Sequence, residues 1–225
     1  MVQFIVASSK PWNKKIIQFY FKRKQFDYYY VSTPEKLNLK LKEISNLRYI
    51  FFLHWNWIVP SEINRKYECV CFHMTDLPYG RGGSPLQNLI LNKKKKTMVS
   101  AFKMTGGIDT GPIYVKKPLL LDGKAEEIYK RTAEISCEII HWIIKKKPAP
   151  KPQSGKAICF KRRRPEQSAL PKTTSISNVH DFIRMLDAPT YPKAFINYGN
   201  LKLEFENSKL ENKFISAKVK IKKKE

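Results

Sequence analysis

The run ECVCFHMTDLPYGRGGSP, residues 68–85, starts as a strand and finishes as a loop. Its first six residues are a short apolar stretch rich in β-formers, as a buried strand requires. The remainder sets Asp76, Pro78, Gly80, Gly82 and Gly83 directly after His73, the chemistry of a chain that must bend. A strand that ends on a titratable side chain and then turns sharply suits an open α/β sheet, where ligands gather beyond the carboxyl ends of strands.

The flanking sequence agrees. Upstream, VQFIVAS (2–8), FDYYYVS (26–32) and YIFFLHW (49–55) read as strands. Between them lie NKKIIQFYFKRK, with Ile16, Ile17, Tyr20 and Phe21 facing inward and Ser9 as N-cap, and TPEKLNLKLKEIS, with Leu37, Leu41 and Ile44 at helical spacing. PSEINRKY and SPLQNLIL read as short helices, TMVSAFKM (97–104) as a strand and IYVKKPLLL as extended. Residues 125–144 form an amphipathic helix whose apolar face carries Ile128, Ile135, Ile139 and Trp142. The alternation predicts an α/β domain over 1–150, a mostly parallel open sheet flanked by helices. After a proline-punctuated connector, KKKPAPKPQSGK, a small, mostly β appendage over 157–225 is expected, one helix (VHDFIRML) followed by hairpins turning at Gly199-Asn200 and Glu211-Asn212.

Composition narrows the partners. A net charge of +24 over 225 residues points to anionic ligands. The excess is carried by 34 lysines against 9 arginines, so runs such as KKKK (93–96) and the terminal KVKIKKKE read first as solvated surface. Cys69, Cys71, Cys137 and Cys159 form no metal or disulfide spacing, and with no signal peptide they predict a reducing, cytoplasmic setting. No apolar run is long enough to cross a bilayer, so no membrane partner is expected.

Three loops are expected to meet at the strand ends: SSKPWNK, HMTDLPYGRGGSP and GGIDTGPIY. Two carry acid–base groups, His73 and Asp109. An imidazole can take a proton at neutral pH, and a nearby carboxylate would orient it and balance its charge. The glycines let backbone amides approach a ligand. Taken alone, a histidine at a strand end is more often structural, and an aspartate in a glycine-rich loop is usually turn chemistry.

The same residues resemble the signature of the 10-formyltetrahydrofolate-dependent formyltransferases, the family that includes methionyl-tRNA formyltransferase and the sugar N-formyltransferases. Cys71, His73, Thr75, Leu77, Pro78, Arg81, Gly82 and Pro85 follow its first motif, and Asp109-Thr110-Gly111-Pro112-Ile113 its second, 36 residues after His73. FKRRRPEQS and VHDFIRMLDAPTYPKAF resemble the start of the family's C-terminal region. The resemblance implies a catalytic group of His73, Asp109 and position 71, where the family's asparagine is replaced by Cys71. A thiol is a weak donor, so part of the oxyanion-stabilising amide is missing; Asn56 or a backbone amide is a candidate substitute. It further implies 10-formyltetrahydrofolate as cosubstrate, without a metal, held near His54, Trp55, Asn56, Trp57, Ile58, Arg81, Gly82, Gly106, Gly107 and Ile108.

For the acceptor amine, the SSKPWNKK loop offers Lys10, Asn13 and Lys14 at a helix start and Trp12 for stacking, with Thr75, Asp76 and Tyr79 across from them. Only 69 residues follow Lys156, short for the longer RNA-holding C-terminal domain of methionyl-tRNA formyltransferases. The expectation is therefore an amino-sugar nucleotide as substrate, with nucleic acid not expected and a homodimer left open. Formylation of methionyl-tRNA and a non-catalytic relative that has lost its asparagine are the alternatives.

Overall fold

The structure is a computed structural model describing residues 3–24, 26–172 and 175–224. Val2, placed in the expected first strand, and Glu225, closing the last lysine run, lie outside the described residues.

The chain gathers into two compact units. One comprises residues 1–82, 97–119 and 130–159; the other comprises 83–96, 120–129 and 160–225. The second unit thus takes in two segments, 83–96 and 120–129, that precede the appendage start expected near 157.

In the first unit, strands β1 (Gln3–Ala7), β2 (Tyr28–Val31), β3 (Leu47–Leu53), β4 (Glu68–His73), β6 (Lys96–Lys103) and β7 (Ile113–Leu120) form one sheet in the order β2-β1-β3-β4-β6-β7. Strand β5 (Tyr79–Gly82) pairs separately with β8 (Ile158–Phe160). β1, β2, β3 and β4 run parallel, as the alternation of strands and helices predicted. Pro118 lies in β7, an outer strand of the sheet, the place where a proline is tolerated.

Successive residues of β1 serve opposite faces. Ile5 and Ala7 join Ile50, Phe52 and Cys69 in a core with Leu37 and Ile44 of the α2 segment and Ile63 of α3 (helices Pro34–Glu43 and Ser61–Lys66). Phe4 turns the other way, edge-on to Phe21 of α1 (Pro11–Arg23) at 5.4 Å and to Phe51 at 5.7 Å. Each of these fully buried rings is worth about 1.5–3 kcal/mol. Helices therefore cover both faces, as the alternation of elements required.

Local details depart in two places. The N-cap of α1 is Lys10, not Ser9, because the Ser9 hydroxyl donates to the His54 carbonyl at 2.6 Å instead. Thr33 does cap α2, accepting from the Lys36 amide at 3.3 Å. In α5 (Ala125–Lys146) Ile128 and Ile139 are buried, but Trp142 is exposed and Ile135 half-buried. The buried stripe runs through Ala133, Cys137, Ile140 and Ile144, so Ile135 and Trp142, one heptad apart, share a flank.

The second unit holds α4 (Pro85–Leu91), α6 (Ile176–Arg184) and the antiparallel meander β9 (Ala194–Tyr198), β10 (Leu201–Leu210) and β11 (Ile215–Lys223). Both expected turns fall where their residues placed them, Gly199 at φ +55° and the second closed by the Glu211 amide on the Phe214 carbonyl. Buried Arg184 donates to Asp181 Oδ1 (2.7 Å) and to the carbonyls of Leu121 (2.6 Å) and Gly123 (2.9 Å), which accounts for the Ile-Arg-x-Leu element of the sequence.

Candidate active site

His73 is the last residue of β4 and is almost wholly buried. Its Nε2 lies 2.7 Å from the Gly80 carbonyl, which can only accept, so Nε2 carries a hydrogen and donates. Its Nδ1 faces Asp109 Oδ2 at 3.6 Å. Uptake of a second proton at Nδ1 turns that approach into an ion pair in a partly enclosed site, where such pairs are screened less than on the surface. The Gly80 contact depends on the bend predicted from sequence. Gly80 and Gly82 have φ of +78° and +100°, a conformation open to glycine at little cost. Thr75 anchors the same turn from within, its hydroxyl donating to the Gly80 carbonyl at 3.4 Å and its own carbonyl accepting from Ser100 at 2.6 Å.

Asp109 arrives by a route the sequence did not suggest. β6 is antiparallel to β4, pairing Ser100 with His73 and Lys103 with Val70. The loop after β6 therefore leaves at the amino end of β4, about 10 Å from His73 at 3.3 Å per residue. It goes out and back. The Lys103 amide donates to the Pro112 carbonyl at 2.9 Å, closing the loop's base, and Asp109 at its far side returns to His73. The expectation that all three loops sit at carboxyl ends of strands is corrected here: two do, and the third reaches the pair by doubling back.

The Asp109 carboxylate is fixed from a second direction. The Gly82 amide donates to Oδ2 at 2.8 Å. Gln153 donates to the carbonyls of Asp109 (2.8 Å) and Gly111 (2.9 Å) and accepts from Arg81 Nε (3.2 Å) and Nη2 (2.7 Å). Sequence reasoning missed Gln153, because the prolines around it marked the segment as a connector. Its one sequence signal is a lone amide in an otherwise Lys/Pro/Ser run.

Cys71 points to the same side of β4 as His73, two residues away. Burial of the sulfur, reinforced by the Asp109 carboxylate, pushes its thiol well above the ordinary range. It stays protonated at neutral pH and is no nucleophile.

The residues expected at the cosubstrate differ in what they offer. Trp57 is part-exposed, Ile58 is 93% exposed and Ile108 75% exposed, while Asn56, Gly106 and Gly107 are also open to solvent. Trp55 stacks edge-on against Trp57 at 4.8 Å. His54, at φ +48°, accepts from the Asn13 amide at 3.0 Å; burial, with Lys10 nearby, lowers its pKa to about 4, so it is neutral at pH 7. Arg81 and Gly82 are engaged as described above.

Of the residues expected at the acceptor, Thr75 shares the Gly80 carbonyl with His73, and the rest differ in what they offer. Asn13 is fully buried and Trp12 is 7% exposed, so neither presents a face for stacking. Lys10 and Lys14 instead border a hollow of about 550 Å³ with Ser9, Pro11, Gln18, Tyr30, Ser32 and Lys36. Thr75 is buried, Asp76 pairs with Lys116 at 2.5 Å, and Tyr79 is half-buried on β5. Among the described residues, no group of three His, Cys, Asp or Glu side chains is placed to hold a metal, and no helix is long and apolar enough to cross a membrane.

Comparison with known proteins gives a consistent picture. Residues 165–222 match the family model for the C-terminal domain of methionyl-tRNA formyltransferase. A solved structure of methionyl-tRNA formyltransferase from Clostridium thermocellum is 44% identical, covers all of both chains and superposes with a TM-score of 0.95. The curated methionyl-tRNA formyltransferase of Rickettsia bellii is 27% identical over 180 residues, 76% of this chain and 59% of that protein. The chain thus spans about three-fifths of the length of that relative. A sugar N-formyltransferase from a Shewanella species, 17% identical with a TM-score of 0.69 over 95% of this chain, shares the fold. The chain belongs to the formyltransferase family.

Proposed function

We propose that the chain transfers the formyl group of 10-formyltetrahydrofolate to a primary amine. The observation that carries this reading is the His73–Asp109 pair at 3.6 Å, held inside both family motifs. The cosubstrate would supply the activated formyl carbon. The apolar side chains at Trp57, Ile58 and Ile108, with open backbone at Gly106 and Gly107, fit a flat pterin ring, which asks for stacking surface and backbone hydrogen bonds rather than charge. With Nε2 committed to Gly80, Nδ1 is the nitrogen that takes the amine's proton as the new amide bond forms, and returns it to the departing folate nitrogen. Asp109 balances the imidazolium in between.

The acceptor we favour is the amine of methionyl-tRNA. The supporting observation is 44% identity to a protein of that name over the whole of both chains. That relative has the same extent as this chain, which removes the brevity of the C-terminal region as a ground for preferring a sugar. A charge of +24 suits a polyphosphate partner. An amino-sugar nucleotide remains the second reading, favoured by the lysine-bordered hollow, of a size for a nucleotide diphosphate. The burial of Trp12 withdraws the stacking contact that had supported it. The test is release of tetrahydrofolate from 10-formyltetrahydrofolate in the presence of methionyl-tRNA or of a panel of nucleotide-linked amino sugars. Turnover with methionyl-tRNA alone is expected; turnover with a sugar alone overturns the acceptor, and binding without turnover across both sets overturns the reaction.

Cys71 gives a separate prediction. Cys71→Asn restores a strong donor beside His73 and should raise the turnover number, within the roughly 10²–10³-fold that one oxyanion donor is worth. A fall in single-turnover rate would show that another donor has been built around the thiol.

A further inference from the structure

We propose that Gln153 is the positioning residue of the His73–Asp109 pair, which makes the connector between α5 and the C-terminal region part of the active-site framework. The proposal rests on the reading of that pair as the formyl-transfer site. Asp109 has a φ of +53°, a left-handed conformation that aspartate tolerates better than most non-glycine residues and that contacts to the turn's carbonyls help to fix. The surroundings that hold it converge on one amide. The two hydrogens of Gln153 Nε2 go to the carbonyls of Asp109 and Gly111, on either side of the turn, at 2.8 and 2.9 Å. The oxygen of the same amide receives two hydrogen bonds from Arg81, the residue before the Gly82 amide that holds the Asp109 carboxylate at 2.8 Å. Gln153 therefore sets the backbone that carries the carboxylate and the strand that receives it.

The connector is anchored for this work. Lys151 and Ile113 exchange both backbone hydrogen bonds, at 2.7 and 2.8 Å, so Gln153 projects from a segment laddered to the base of the Asp109 loop. The chemistry explains the residue type. Two carbonyls require a pair of hydrogens and a guanidinium requires an acceptor, and among side chains of this length only a glutamine amide offers both. A glutamate at this position keeps the acceptor for Arg81 but sets an anionic oxygen against two carbonyl oxygens.

The test uses the full chain, with Gln153→Ala and the nearly isosteric Gln153→Glu, read two ways. In steady-state kinetics with the acceptor that proves active, kcat should fall roughly 10–100-fold while KM for the folate stays near wild type, the result of a misplaced catalytic pair. In the ligand-free protein, the Gly82 amide proton, expected downfield because of its carboxylate partner, should move upfield in both variants, toward its position in Asp109→Ala, which has no side-chain acceptor there. Wild-type kcat in either variant overturns the proposal. So does a loss of kcat with the Gly82 amide unmoved, since the effect would then not pass through Asp109. Should no acceptor be turned over at all, the formyl-transfer reading fails, and the amide shift alone still decides whether Gln153 holds Asp109: upfield movement supports it, and an unmoved resonance ends it.

Discussion

His73→Ala is expected to slow formyl transfer by roughly 10²–10⁴-fold, the range for removal of a positioned general base. The imidazole is the proton-accepting group of the pair, with Nε2 held by the Gly80 carbonyl and Nδ1 facing the Asp109 carboxylate, and alanine leaves the proton of the attacking amine without a receiver. Asp109→Asn should cost less, because asparagine can keep the Gly82 contact while losing the charge that balances the imidazolium. The double variant decides whether the two act together. If Asp109 works through His73, removing both is no worse than removing His73 alone, as for any catalytic unit. The measurement is the single-turnover rate constant of the three variants, with thermal unfolding as control. Additive losses would mean that Asp109 contacts the substrate in its own right, and a His73→Ala enzyme within threefold of wild type would leave the pair without a catalytic role.

The second large effect is one of structure. Gly111→Ala would place a Cβ 1.7 Å from the Lys103 carbonyl oxygen and 2.9 Å from its carbon. Both are backbone atoms at the base of the Asp109 loop, so no side-chain rotation relieves the clash. The loop must lift, and the Gln153 hydrogen bond to Gly111 goes with it. A loss of about 3 kcal/mol is expected, at the top of the range for overpacking, or roughly 6–12 °C in Tm for a chain of this size. Activity should fall further than stability, since Asp109 moves with the loop. Gly106→Ala in the same loop is the control. Nothing lies within 4 Å of its added Cβ, and a change within about 0.5 kcal/mol is expected. Equal Tm values for the two variants would show that the loop base is not the constraint described.

The preference for an amino sugar over tRNA had three supports in the sequence: the lysines at the start of α1, Trp12 for stacking and a short C-terminal region. Lys10 and Lys14 do border a hollow, but the other two do not survive in the same form. Trp12 occupies the first turn of α1, where the face toward the sheet is decided by packing against β1 and its neighbours, and it is buried. The C-terminal region is a three-stranded meander backed by α6, and a relative of equal extent carries the tRNA name.

What the sequence determined by itself was local and periodic. Continuous apolar runs named β1, β3 and β4 as buried strands, Thr33 capped its helix, and glycines at 80 and 82 marked a bend that only residues free of a Cβ enter easily. His73 and Asp109 were legible because both stand in motifs of fixed spacing. Tertiary structure decided how they meet. Strand direction is not encoded in a strand's own residues, so nothing near 97–104 announced that β6 runs against β4 or that the Asp109 loop must double back to reach His73. Nor did the connector announce Gln153, since the value of an amide lies in the carbonyls and guanidinium that long-range folding brings to it.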